Sequence, residues 1–249
     1  MYNIYIVRSD SLKEKTVKKD ISQKNTSEKL IKTLSVFICY LLYSNIISII
    51  FSTFNIVNTT IISFIADLIF LIGIVFAYRE NLSKDFNSLK EKYKILDIIK
   101  IIILWFAIIF IFNICMGLLT DLLWPTASNM QDDNTKLLFD KNTLNLTYKI
   151  FKTMVFAIVA EELIFRESIS DVIKNKWAFI LVSALVYTLI NFAFVGFSSK
   201  IIILDILSYF LPALLFSYAY TKYDNNIVLL MLIKFTYQLV PLTLLLIKS

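Results

Sequence analysis

The sequence contains no histidine. That excludes an imidazole general base and a histidine-ligated zinc site, and two adjacent carboxylates alone make a poor zinc site. Glycine is scarce, with 3 residues, and no glycine-rich phosphate loop occurs, which argues against nucleotide-driven transport encoded in this chain. The 2 cysteines, Cys39 and Cys115, fall inside apolar runs and read as packing residues, not a disulfide framework. Proline numbers 3, and Pro212 and Pro241 stand alone, without the paired helix breaks that mark many transporters. No internal repeat of about 20 to 50 residues is visible. The apolar runs are continuous, so the alternating pattern of a membrane β-barrel is absent.

What is abundant is apolar surface. Of the 249 residues 58% are hydrophobic, and the mean hydropathy is +0.72. A soluble domain carries far fewer apolar residues. Runs of about 20 apolar residues recur, each able to cross a hydrocarbon core of roughly 30 Å. The expected fold is an all-α polytopic membrane helical bundle. About seven spans are expected, at 34–54, 60–78, 98–118, 148–168, 177–197, 201–220 and 227–247. A re-entrant bend near Ser198 would change the count, so six to eight is the expected range. Residues 1–33 form a basic polar arm without the apolar core of a signal peptide, and 34–249 form the membrane domain.

Basic residues set the orientation. They crowd the arm (Arg8, Lys13, Lys15, Lys18, Lys19, Lys24, Lys29, Lys32). They recur after the second span (Arg79, Lys84, Lys90, Lys92, Lys94) and after the fourth (Arg166, Lys174, Lys176). The loop 120–147 is more acidic, with Asp121, Asp132, Asp133 and Asp140 against Lys136 and Lys141. The positive-inside rule then places the N-terminus in the cytoplasm. The net charge of +6 suits anionic membrane lipids and needs no nucleic acid. Between the second and third spans Leu82, Phe86, Leu89, Tyr93 and Leu96 recur at helical spacing. This segment reads either as an amphipathic helix in the headgroup region or as a solvated connector.

Polar groups inside the spans are the functional candidates. In "AEELIFRESI", Glu162 and Arg166 are one helical turn apart and suit an ion pair. Glu161 points about 100° away and must find a partner on another helix. An incompletely paired carboxylate at that depth is a candidate general base. Asn191 is the polar residue of "LVYTLINFAFVGF", and Lys234 and Gln238 share a face in "LLMLIKFTYQLVP". Counting from the span ends at about 1.5 Å per residue puts Lys234 and Glu161 both about 10 Å deep, with Gln238 at about 16 Å and Asn191 at about 21 Å. An ion pair between Lys234 and Glu161 is therefore expected. For Asn191, interhelical packing is the competing reading.

These residues resemble the motifs of the CPBP family, the CAAX-protease and bacteriocin-processing (Abi) membrane proteins. Glu161, Glu162 and Arg166 fit its EExxxR motif, Tyr187 to Asn191 stand in the register of FxxxH, and Lys234 to Gln238 in that of HxxxN. The resemblance covers about 148–245 and implies an intramembrane glutamate-dependent endopeptidase without a cofactor. Its substrates would be peptides or membrane-anchored, including prenylated, proteins of a cell membrane, here a bacterial one. Glu161 would activate water, Glu162 and Arg166 would brace the helix, and Asn191 and Gln238 would offer N–H donors to an oxyanion. Lys234 stands where the family has a histidine, and an ammonium beside Glu161 makes it a poorer base. Two further readings follow. One is a catalytically lapsed member acting as a membrane binding protein, as in bacteriocin immunity or envelope control. The other is a transporter using Asp67, Asp205 and the Lys234–Glu161 level.

Overall fold

The computed structural model describes residues 2–54, 58–123, 143–195 and 202–248, and among them no strand occurs. The first four helices are α1 (Tyr2–Thr53), α2 (Thr59–Ala77), α3 (Arg79–Lys92) and α4 (Ile95–Leu123). A continuous helical rod then fills 143–172. It is built of α5 (Thr143–Phe151), a π-helical turn (Lys152–Phe156), α6 (Ala157–Glu162), a second π-helical turn (Leu163–Glu167) and α7 (Ser168–Val172). The last helices are α8 (Lys176–Val195), α9 (Ile202–Lys222) and α10 (Ile227–Lys248). The all-helical fold expected from the apolar runs is what forms.

Among the described residues, three stretches are long and apolar enough to cross a membrane: Ser27–Thr53, Thr59–Ala77 and Ile95–Leu119. Their side chains are mostly outward-facing, as in Ile49 (65% exposed) and Ile111 (60%), which suits contact with acyl chains. The interior belongs to the rod 143–172 and to α8, α9 and α10, where Ala160, Leu163, Ile164, Phe165, Ala184 and Ile227 are fully buried. The domain boundary expected at residue 33 falls within α1. Lys29 and Thr33 already meet the bundle, Thr33 donating to the Ser168 carbonyl at 2.8 Å and Lys29 lying 4.0 Å from Asp171. The bend expected near Ser198, residues 124–142 of the acidic loop, and the Asp205 side chain lie outside the described residues.

Local chemistry explains the breaks. Asn58 caps α2 by accepting from the Ile61 N–H at 3.1 Å. Between α9 and α10, Asp224 (φ 55°) and Asn225 (φ 58°) take left-handed conformations that short polar side chains tolerate. Asn226 then caps α10 through the Leu229 N–H at 2.9 Å. Asp85 of α3 reaches across to accept the Ile227 N–H at 2.8 Å, so a second helix shares in capping α10.

Helix α3 splits the apolar face read from the sequence. Leu89 is buried and Leu82 and Tyr93 pack on the core, whereas Phe86 (48%) and Leu96 (68%) stay exposed. Polar groups fix α3 further. Asn81 donates to Glu167 at 2.5 Å, and Asn226 donates to the Asp85 carbonyl at 2.8 Å. The segment is therefore a docked helix, not a solvated connector.

Candidate functional site: a buried charge cluster

The rod 143–172 and α10 bring four charges together. Lys234 Nζ donates to Glu162 Oε1 at 2.5 Å, to the Ala157 carbonyl at 2.8 Å and to Glu161 Oε2 at 3.3 Å. An ammonium has three N–H donors, and each meets an acceptor here. Arg166 Nε lies 3.3 Å from Glu162 Oε2, and its Nη2 donates to the Ala213 carbonyl at 3.4 Å. Two carboxylates and two cations thus neutralise one another. Burial is nearly complete: side-chain exposure is 0% for Glu162, 1% for Arg166, 5% for Lys234 and 13% for Glu161.

Both pairings expected from the sequence form, Glu162 with Arg166 and Glu161 with Lys234. The contact that sequence reasoning missed is the shortest, Lys234 to Glu162. Glu162 was assigned one partner because the i,i+4 spacing to Arg166 is visible in the chain, whereas a lysine on another helix has no local signature.

The π-helical turns frame the glutamates, one ending at Phe156 and the other starting at Leu163. Such insertions shift the hydrogen-bond register and free carbonyls for side-chain donors. Ser183 of α8 donates to the Phe165 carbonyl at 2.6 Å, Ser168 to Ile164 at 2.6 Å, and Ser217 to Ser183 at 3.0 Å. Ser183 and Ser217 were not read as site-related from the sequence, because a serine among apolar residues also suits plain helix packing.

Aromatic rings wall the cluster. Tyr187 lies under both cations, its ring centre 4.9 Å from the Arg166 guanidinium carbon and 5.8 Å from Lys234 Nζ. Phe165 meets Tyr187 edge-on at 5.1 Å and Tyr40 at 5.7 Å. The two amide candidates stand differently. Asn191 donates to the Tyr187 carbonyl of its own helix at 2.8 Å. Gln238 is half-buried and has no hydrogen-bond partner among the described residues, while its neighbour Tyr237 bonds Asn113 of α4.

A second buried charge lies apart from the cluster. Asp67 of α2, 2% exposed, accepts from Tyr43 at 2.6 Å and from Tyr148 at 2.9 Å, with Lys152 Nζ 3.4 Å away. Asp67 is thus held by three side chains from α1, α5 and the first π-helical turn. Among the described residues no group of three or more histidine, cysteine, aspartate or glutamate side chains is arranged to hold a metal ion.

Comparison with known proteins places part of this arrangement. Residues 143–240 match the family model described as type II CAAX prenyl endopeptidase Rce1-like. No curated protein and no solved structure matches. The matched segment begins at α5 and ends within α10, so it holds both π-helical turns and all four members of the charge cluster. On this match, residues 143–240 are similar to the type II CAAX prenyl endopeptidase Rce1-like family.

Proposed function

We propose that this chain is a CPBP-type integral membrane protein that binds a membrane-anchored peptide or protein and has lapsed as a protease. The single observation behind this reading is the saturated Lys234 ammonium. It spans both glutamates and leaves no N–H to orient a water or a substrate carbonyl. Glu161 is the residue that would serve as base, and its Oε2 is in direct contact with the Lys234 ammonium at 3.3 Å. Among the described residues the Asn191 amide is already engaged by the Tyr187 carbonyl and no neighbour orients the Gln238 amide, which weighs against a preorganised donor pair. Bacteriocin self-immunity and envelope control are the kinds of role such a binding protein fills.

The competing reading is a retained endopeptidase with Glu161 as base, Asn191 and Gln238 as oxyanion donors, and Glu162 and Arg166 as bracing. One observation favours it: Glu161 is the least buried of the four charges, at 13% exposure.

The test is hydrolysis of membrane-anchored and prenylated peptides by the full chain in lipid nanodiscs. No turnover is expected from the natural protein, and photocrosslinking is expected to trap a partner as well with Glu161→Gln as without it. Hydrolysis that disappears in Glu161→Gln overturns the binding reading and supports the enzyme.

A further inference from the structure

One end of the bundle carries cations laid over aromatic rings. Arg79 stacks on Phe76 at 4.6 Å and Lys90 on Phe86 at 4.1 Å. Lys32 lies 3.8 Å from the Tyr78 ring centre, Lys176 lies 5.4 Å from that of Tyr218, and Lys222 lies 5.7 Å from that of Trp105. These pairs gather where α2, α3, α8 and α9 begin or end. Aromatic rings favour the boundary between acyl chains and headgroups, and basic side chains extend past them toward phosphate.

Two of the pairs share one stripe. Along α3, at about 100° per residue, Arg79, Phe86 and Lys90 fall within roughly 40° of one another. Leu89 and Asp85 lie on an adjacent face, roughly 60–140° round from the stripe, and meet the bundle. Phe76 (65%) and Phe86 (48%) are exposed large apolar side chains, and Ile95 (77%) continues the exposed apolar line into α4. Lys84 and Lys94 are exposed nearby, as are Glu80 and Glu91. Lys92 is taken by Asp224 at 2.9 Å.

We propose that the Arg79–Phe86–Lys90 stripe of α3 is a docking site for the phosphate headgroups of anionic lipids. Phe76 and Phe86 enter the upper acyl region, and the two cations bind phosphate above them. Two features together select this occupant: the basic side chains complement phosphate, and the exposed Phe76 and Phe86 rings beside them suit the upper acyl region just below a headgroup. Helix α3 is fixed by Asn81 to Glu167 of the rod and by Asp85 to the start of α10. The stripe is therefore held at a set height on the bundle and does not depend on lipid to become helical.

The test uses Phe86→Trp in the full chain, reconstituted in phosphatidylcholine vesicles that hold a minor fraction of brominated lipid, with quenching read as the difference from the natural chain and its Trp105, Trp124 and Trp177. Brominated phosphatidylglycerol should quench the new tryptophan more than brominated phosphatidylcholine at the same fraction. Removing both cations with Arg79→Gln and Lys90→Gln should erase that preference, by about fivefold in relative affinity per charge. Lys84→Gln, off the stripe, should change it little. Equal quenching by the two lipids, or a preference unaltered by the double substitution, overturns the proposal. So does a tryptophan that stays open to a water-soluble quencher in every vesicle, which would mark the face as free for a soluble partner.

Discussion

Lys234→Met removes one charge and keeps the side chain's length and apolar stem. The natural cluster balances Glu161 and Glu162 against Arg166 and Lys234, so the substitution leaves one buried negative charge in excess. At an effective dielectric constant of about 20, the gross attraction across 2.5 Å and 3.3 Å is roughly 7 and 5 kcal/mol. Desolvation of the ions offsets most of that, and removing one partner of a buried pair typically costs about 3–5 kcal/mol. The Ala157 carbonyl also loses its donor. The expected loss of stability is therefore about 3–5 kcal/mol, read by unfolding in mixed micelles. A second substitution separates charge from packing. Adding Glu162→Gln restores neutrality with Glu161 and Arg166 and should recover more than half of the loss. A Lys234→Met protein as stable as the natural one, or a double variant no better than the single, refutes the account of the cluster as a mutually neutralised unit.

Further outcomes concern the Asp67 site, the second π-helical turn and Asp85. Asp67→Asn turns charge-assisted bonds from Tyr43 and Tyr148 into neutral ones and should cost about 1–3 kcal/mol in the same assay. Lys152→Met should cost less, because that lysine is 51% exposed. Ser183→Ala leaves the Phe165 carbonyl of the second π-helical turn without its donor and should destabilise by about 1–3 kcal/mol, with Ser217→Ala milder. Burial raises Asp85 above the ordinary carboxylate range even though it accepts the Ile227 N–H. The folded state then holds this proton more tightly than the unfolded state, so stability should fall as pH rises from the ordinary carboxylate value through the raised one. The thermal midpoint should lose that slope in Asp85→Asn, and an identical slope in both proteins would remove Asp85 as its source.

The sequence made the cluster's membership legible but not its wiring. Depth counting put Glu161 and Lys234 on one level, and helical spacing paired Glu162 with Arg166. Those inferences needed only a rise per residue and an angle per residue. The bond from Lys234 to Glu162 needed the rotation of one helix against another, which the π-helical turns reset and no periodicity in the chain announces. Likewise the spacing of Leu82, Phe86 and Leu89 marked α3 as helical. Which of its apolar residues turned inward was decided by distant partners, Glu167 and the Ile227 N–H, through Asn81 and Asp85. Asn191 shows the opposite limit. Its polarity drew attention, yet its amide bonds the backbone of its own helix, a contact open to any asparagine in a helix.

The neutral cluster draws its members from opposite ends of the matched segment, with the acids and Arg166 in the rod and the amine in α10. During synthesis the rod leaves the ribosome first, with a surplus of negative charge and one guanidinium to offset it. Only when the final described helix inserts does the sum reach zero. Membrane assembly of this protein thus has an electrostatic end-point. A chain that stops short of Lys234 is left with an uncompensated negative charge at the centre of its buried cluster.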